Sequence, residues 1–421
     1  MERREGRRRP DATARRAPGL WRHEGAEHDG GARQAVQRRR REGRGAEASD
    51  ARRRGLGAVA RRLPGREARV QGQAPIDVRT LIDGGQKAVD TANALAEFIA
   101  SAQHTLDIAL YDFNLPAGLQ TIVGGALGAA AGRGVAVRLV YNVDHPRTVP
   151  VPAPPSTDPD EMAALPFPTA AIPGIPDLMH HKYIVRDGAS LWTGSTNWTG
   201  DSWTREENVI VTVDSPELCA RYAADFEQLW DRRDVQHSGR VDTSPLQVGG
   251  VAVRPWFCPG RGERLAHRIA MAIGTATRRV RIASPVISSA PILATLAQTV
   301  SDGKVDVAGV VDLTQILEVL RQWKANGNAS WKEPLLRAVL TKAPFSGKIS
   351  TPYAPGSVHD YMHAKITVCD DVVFVGSFNL SHSGELNAEN VLEIADPGLA
   401  EQLAGFVDTV RGRYPTVTLP A

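Results

Sequence analysis

Cysteine is scarce in this chain, with Cys219, Cys258 and Cys369 the only three in 421 residues. An odd count without the short spacings of a metal knuckle forms neither a disulfide framework nor a sulfur metal site. No stretch approaches the roughly 18 consecutive apolar residues that a membrane-spanning helix needs, although 42% hydrophobic content is ordinary for a packed core. A secretory signal is also missing, because no apolar segment with a cleavage site follows the N-terminal charges. A cytoplasmic location is the default expectation. Lysine is absent from the first seventy residues, which hold 21 arginines and ten acidic residues. Their excess of +11 exceeds the +3 of the whole chain and leaves −8 for the remainder. Residues 1–72 have too few large apolar side chains to form a core and read as a disordered, Arg-rich tail. Such a tail is a nucleic-acid or anionic-lipid arm, a solvated tail without a role, or the product of a start assigned too far upstream. The last two readings together are favoured.

What the chain does contain is an internal repeat. Asp177-Leu178-Met179-His180-His181-Lys182 runs on to Asp187 and is followed by Gly194-Ser195-Thr196-Asn197. Asp360-Tyr361-Met362-His363-Ala364-Lys365 runs on to Asp370 and is followed by Gly376-Ser377-Phe378-Asn379. Each copy then reaches a Glu-Asn pair, Glu207-Asn208 or Glu389-Asn390, at the same distance of 13 positions from its glycine. Matched spacing in two copies points to a duplicated catalytic half.

Each His-Lys pair sits two apart at the start of a β-branched run, so a strand would place both side chains on one face. Asp187-Gly188 and Asp370-Asp371 read as hairpin turns. The return strands then bring Ser195 and Asn197, or Ser377 and Asn379, beside the imidazole and the ammonium. Donors and cations converge without a carboxylate among them, which suits an anionic group such as phosphate. Glu207 and Glu389 are placed to hold one imidazole each by its far nitrogen. Asp187 and Asp370 read as structural, because each falls where a turn is needed. Ser195 and Ser377 read equally well as substrate-binding hydroxyls and as turn formers. His181 has Ala364 as its counterpart, should point off the catalytic face, and is set aside.

The paired H-x-K-x4-D with G-S-x-N resembles the phospholipase D superfamily of phosphodiesterases, from about Ile76 to the C-terminus. The resemblance implies two similar α/β/α lobes, each a mixed sheet flanked by helices, related by a pseudo-twofold with one active site between them. It implies a covalent phosphohistidine formed by one of His180 and His363, with the other protonating the leaving group and then activating water. Because the N-terminal motif usually attacks in the family, His180 is expected as nucleophile and His363 as acid. Lys182, Lys365, Asn197 and Asn379 would bind the phosphate oxygens, and Glu207 and Glu389 would orient the imidazoles. No metal and no organic cofactor is implied.

The remaining sequence fits that duplication. Helical periodicity over 87–103 and 119–133 alternates with strands at 106–111 and 135–141, which indicates α/β layering. Residues 145–176 form a proline-rich insertion, read either as a rim of the cleft or as a passive excursion. The first half is expected over 73–235, a linker over 236–250 and the second half over 251–421. Helices are expected at 216–230, 264–277, 292–300 and 397–411, with strands at 280–286 and 305–311. Residues 314–342 are helix-rich where the first half has its prolines. Phospholipid hydrolysis to phosphatidate and a head-group alcohol, by a monomer with peripheral membrane contact, is the first functional expectation. A DNA or RNA nuclease and a phosphatidyltransferase of the cardiolipin synthase type are the alternatives. The acidic body argues against a nucleic-acid groove.

Overall fold

The computed structural model describes residues 75–145, 153–327 and 329–420. The expected tail at 1–72 lies outside the described residues. In chain order the first lobe contains β1 (Ile76–Leu81), α1 (Ala88–Ala100), β2 (Thr105–Leu110), β3 (Phe113–Asn114), α2 (Ala117–Gly132), β4 (Ala136–Val143), α3 (Pro159–Ala163) and β5 (Thr169–Pro173). It continues through β6 (Lys182–Arg186), β7 (Ser190–Gly194), β8 (Trp198–Thr199), α4 (Gly200–Thr204), β9 (Asn208–Asp214) and α5 (Pro216–Arg232). The second lobe opens with β10 (Leu246–Val248), β11 (Val251–Cys258), α6 (Gly262–Thr275), β12 (Arg279–Ala283), α7 (Ala290–Asp302), β13 (Asp306–Asp312), α8 (Leu313–Asn326) and α9 (Lys332–Lys342). It closes with β14 (Phe345–Lys348), β15 (Ile366–Cys369), β16 (Val372–Gly376), α10 (His382–Leu386), β17 (Glu389–Ala395) and α11 (Pro397–Arg411).

The strand orders are β1-β9-β7-β6-β2-β4-β5 and β10-β11-β17-β16-β15-β12-β13-β14. Apart from the edge strand β10, the second order repeats the first position by position. In both, the three strands at one end run parallel and the rest pair antiparallel. Strand β10 lies inside the stretch expected as linker and pairs with β11. The proline-rich stretch also differs from the expected loop. It contains α3, capped by Asp158, and β5. An edge strand tolerates proline because one row of its N–H groups needs no partner, and β5 ends on Pro173.

Three apolar cores hold the layers. Leu95, Ile99, Leu106 and Leu127 fill the outer core of the first lobe. Ile269, Ile282, Leu293 and Leu336 fill that of the second. The third core spans both lobes and draws Tyr222, Phe226 and Leu229 from α5 and Leu403, Val407 and Val410 from α11. Against them pack Val209 and Val211 of one sheet and Val373 and Ile394 of the other. Both central helices begin alike, because a side-chain oxygen caps the first turn and proline follows. Ser215 accepts from Leu218 N at 3.3 Å, and Asp396 accepts from Leu399 N at 2.7 Å. The lobes are therefore joined through continuous apolar packing, and their motif-bearing strands end at the same seam.

Candidate active site

Each histidine sits just ahead of its strand, where the backbone crosses to the opposite lobe. His180 N donates to Ala388 O at 2.9 Å, and His363 N donates to Glu207 O at 3.2 Å. Isolated parallel bridges flank them, Met179 with Ala388 and Met362 with Glu207. The two motifs are thus stitched reciprocally across the seam. Each lysine turns back on its own motif: Lys182 Nζ donates to His180 O and Lys365 Nζ to His363 O, both at 2.6 Å. Tyr111 closes one side, with its ring edge-on to His180 at 4.6 Å and facing Lys182 Nζ at 4.7 Å.

The imidazole partners also come from the opposite lobe, but they differ. His180 Nδ1 lies 2.9 Å from Glu389 Oε2, with both side chains fully buried. His363 Nδ1 lies 3.0 Å from Asn208 Oδ1 and 3.4 Å from Glu206 Oε2. Asn208 Nδ2 donates to Glu206 Oε2 at 3.0 Å and to Ser202 O at 3.1 Å, which fixes its oxygen toward the imidazole. Both imidazoles therefore carry hydrogen on Nδ1. Nε2 of His180 is buried and finds no hydrogen-bond partner among the described residues, as do the amide oxygens of Asn197 and Asn379.

Glu207 is not the partner of His363 that the repeat suggested. Its carboxylate accepts from Tyr414 OH and pairs with Lys348 Nζ at 3.0 Å, away from the imidazole. The reason is one extra residue in the first lobe. Ser195 N donates to Val209 O, 14 residues on, whereas Ser377 N donates to Asn390 O, 13 residues on. The glycines give the same register independently. A Cβ on Gly194 would lie 2.1 Å from Val209 O, and one on Gly376 would lie 2.1 Å from Asn390 O. Asn208 is therefore the counterpart of Glu389, Glu207 of Ala388 and Glu206 of Asn387. In one lobe a carboxylate meets the imidazole and an amide supports it, since Asn387 Nδ2 donates to Glu389 Oε1 at 3.3 Å. In the other an amide meets the imidazole and a carboxylate supports it.

The serines act on the same strands. Ser195 Oγ accepts from Val209 N at 2.9 Å and donates to Asn208 Oδ1 at 2.6 Å. Ser377 Oγ accepts from Asn390 N at 3.0 Å. Both hydroxyls are fully buried and place the imidazole partners; neither lines the cleft. Asp187 and Asp370 adopt left-handed φ of 54° and 52° at their turns. Asp187 accepts from the backbone of Gln103, His104 and Thr105, and Asp370 from Thr277, Arg278 and Arg279, all at 2.7–3.0 Å. His181 points away, paired with Asp225 at 3.0 Å and with Asn390 at 3.1 Å.

Burial depresses the basicity of His180 and His363 well below the ordinary range, and Lys182 and Lys365 push both further. Burial also brings Lys182 down to about 7 and, with the Lys182 charge, holds Lys365 well below a normal lysine. It pushes Glu389 up to about 8 and Glu206 up to about 7. Four weakened bases around one space are what an anion reverses, because a phosphate placed among them restores the lysine charges. His363, Asn197, Asn379, Glu206 and Tyr111 line a narrow cleft. Ala153 of the proline-rich stretch also lines it, and residues 153–156 are held there by Tyr111 OH on Ala153 O at 2.7 Å and by Asp112 on Ser156 N at 2.9 Å.

Known proteins match the chain in both lobes. The family described as "Cardiolipin synthase, PLD-like domain" matches residues 95–230 and 269–409, one block in each lobe. A mitochondrial cardiolipin hydrolase from Xenopus tropicalis is 31% identical over 143 residues, 32% of this chain and 58% of that protein. The human protein of the same name is 30% identical over 146 residues, 33% of this chain and 50% of that one. The chain thus spans little more than half the length of these curated relatives. The crystal structure of phosphatidylserine synthase from Haemophilus influenzae superposes with a TM-score of 0.55 at 13% identity, covering 82% of this chain and 87% of that one, a likeness of fold. With both lobes matched and a motif at each side of the seam, the chain belongs to the phospholipase D superfamily.

Proposed function

We propose that this protein hydrolyses phospholipids to phosphatidate and a head-group alcohol through a covalent phosphohistidine. The observation that carries the reading is the state of His180: Nδ1 is tied to buried Glu389, and Nε2 is buried without a partner where the charges of Lys182 and Lys365 act on the ring. In the first step Nε2 attacks phosphorus and forms the P–N bond, while the bond to the leaving oxygen breaks and His363 gives that oxygen a proton. Glu389 stabilises the positive charge that develops on the attacking ring. In the second step water attacks phosphorus, His363 takes its proton, and the P–N bond breaks. Lys182, Lys365, Asn197 and Asn379 hold the non-bridging oxygens and offset the charge of the transition state.

The roles of the two histidines follow from their partners. A carboxylate favours the imidazolium that a nucleophile becomes, whereas an amide leaves His363 readier to release its proton. The lipid assignment is supported by the names of the partial relatives, hydrolases of cardiolipin, and by the acidic balance outside the arginine-rich segment. No helix among the described residues is long and apolar enough to cross a membrane.

The test uses purified protein with a p-nitrophenyl phosphodiester and, side by side, phosphatidylcholine, cardiolipin, plasmid and single-stranded DNA, all with EDTA present. The expected result is lipid hydrolysis that survives chelation and gives a transfer product when a primary alcohol is added. His363→Ala should release a burst of p-nitrophenol and accumulate phosphorylated protein, because that leaving group needs little protonation. His180→Ala should show neither. A burst confined to His180→Ala exchanges the two roles. Cleavage of nucleic acid alone makes the protein a nuclease, and loss of activity in EDTA with recovery on a divalent ion replaces the mechanism.

A further inference from the structure

The repeat places a side cavity next to the central cleft in each lobe. Counting from the paired asparagines Asn197 and Asn379, Thr199 corresponds to Ser381, Gly200 to His382 and Asp201 to Ser383. The first trio lines one cavity and the second another. Each adjoins the catalytic cleft, the first through His359 and the second through Asn379. A diester held by its phosphorus sends one arm toward each.

The two cavities differ in charge. The first-lobe cavity has Asp201 and His359 and neither Lys nor Arg among its described lining residues, and prolines 154 and 155 with Tyr353 form much of its wall. The second-lobe cavity has Lys332 and His382 and no carboxylate among its described lining residues. Lys332 opens α9, part of the two-helix segment that stands where the first lobe has its prolines. Its Nζ donates to Ser288 O at 2.9 Å and lies 5.9 Å from the ring of Trp323 and 5.7 Å from that of Trp331. It makes no ion pair among the described residues, and two of its three N–H donors remain for a ligand. The nearby carboxylate, Glu385, is engaged by Ser289 Oγ at 2.7 Å and by His382 Nδ1 at 3.4 Å. Burial lowers the basicity of Lys332, so a bound anion restores charge to it.

We propose that the second-lobe cavity is a subsite for a second phosphoryl group of the substrate, held by Lys332, while the first-lobe cavity takes the uncharged arm. This rests on the phosphodiesterase reading above and adds a substrate class to it: diesters with one further phosphate a few atoms from the scissile one. The same chemistry occurs in a phosphorylated lipid head group and in the next phosphate of a nucleic-acid strand.

The experiment compares kcat/KM for two substrate pairs that differ only by a terminal phosphate, using the full chain. The pairs are phosphatidylglycerol with phosphatidylglycerol phosphate in mixed micelles, and the dinucleotides TpT with pTpT. Wild type is expected to favour the extra phosphate by about tenfold, the size of one charge-assisted contact. Lys332→Ala should bring the ratio near one, and Lys332→Arg should keep it. A preference in the lipid pair alone assigns the subsite to a head group, and one in the dinucleotide pair alone to a strand. Equal rates within both pairs in wild type overturn the proposal, as does a preference that survives in folded Lys332→Ala. If no diester is cleaved, the phosphodiesterase reading fails, and calorimetry still decides the subsite. Glycerol 1,3-bisphosphate should then bind wild type about tenfold more tightly than glycerol 3-phosphate, and Lys332→Ala should bind the two alike; equal binding by wild type rejects the subsite.

Discussion

The first lobe holds the second lobe's imidazole with Asn208 and Glu206, and the second lobe holds the first's with Glu389 and Asn387. Both lobes place an amide and a carboxylate at the same two backbone positions, in opposite order. The strand orders match, the glycines that approach the next strand match, and the turn aspartates match. Divergence falls on side chains and on the segment facing the cleft, where one lobe has prolines and the other α8 and α9. A duplicated frame thus leaves the backbone geometry common and lets two equivalent histidines acquire unequal chemistry.

Exchanging or removing these partners measures that inequality. The largest effect is expected at Glu389. Glu389→Gln should lower kcat/KM by about 10³-fold, comparable in kind to losing the carboxylate of a Ser-His-Asp triad. Asn208→Ala should cost about tenfold, the scale of one neutral hydrogen bond. Steady-state rates on a p-nitrophenyl phosphodiester check both, and equal losses would make the two histidines interchangeable.

Glu207 should show its effect in stability. It is fully buried and paired with Lys348, which also reaches Asp83 at 3.1 Å, so Glu207→Gln weakens a buried ionic network without emptying it and should cost about 2 kcal/mol in denaturant unfolding. The alkaline limb of kcat/KM should move little in Glu207→Gln. A shift of that limb would return Glu207 to the imidazole.

Glu206 should control the pH profile instead. His363 is already pushed down by burial and by Lys365, Lys182 and His359. The Glu206 carboxylate, 3.4 Å from Nδ1, opposes them in its ionised form, which an imidazolium beside it favours. Removing it lowers the basicity of His363, so the acid is lost earlier as pH rises. Glu206→Gln should shift the alkaline limb of kcat/KM downward by about one pH unit, on the scale of one nearby charge. An unmoved limb would detach Glu206 from His363.

The smallest effect is expected where the lobes agree. Asp187→Asn and Asp370→Asn should each cost about 1 kcal/mol, because each carboxylate serves three backbone N–H groups and the amide keeps the left-handed turn. Burial pushes Asp370 up, but its backbone hydrogen bonds outweigh that and hold it at about 2, below the ordinary 3.8. Its contribution is therefore present above about pH 4 and lost as pH falls toward 2. Acid unfolding of Asp370→Asn should be correspondingly flatter across that window than that of wild type.

Much of this was legible in the residues themselves. Strand periodicity, the Asp-Gly and Asp-Asp turns and the doubled His-Lys and Gly-Ser-x-Asn patterns are local, and a local signal survives being read one segment at a time. They were enough for two α/β lobes and for the structural part of Asp187 and Asp370. Three things depended on tertiary structure. Edge strand β5 sits among prolines that propensity alone assigns to loop, and only the sheet shows that its N–H row needs no partner. The serines carry two readings in the sequence, and the strand beside them decides between them. Equal spacing along the chain matches Glu207 to Glu389 and so points to the wrong partner for His363. One residue inserted after α4 shifts the register of β9, and register is a property of paired strands that no count along a single chain contains.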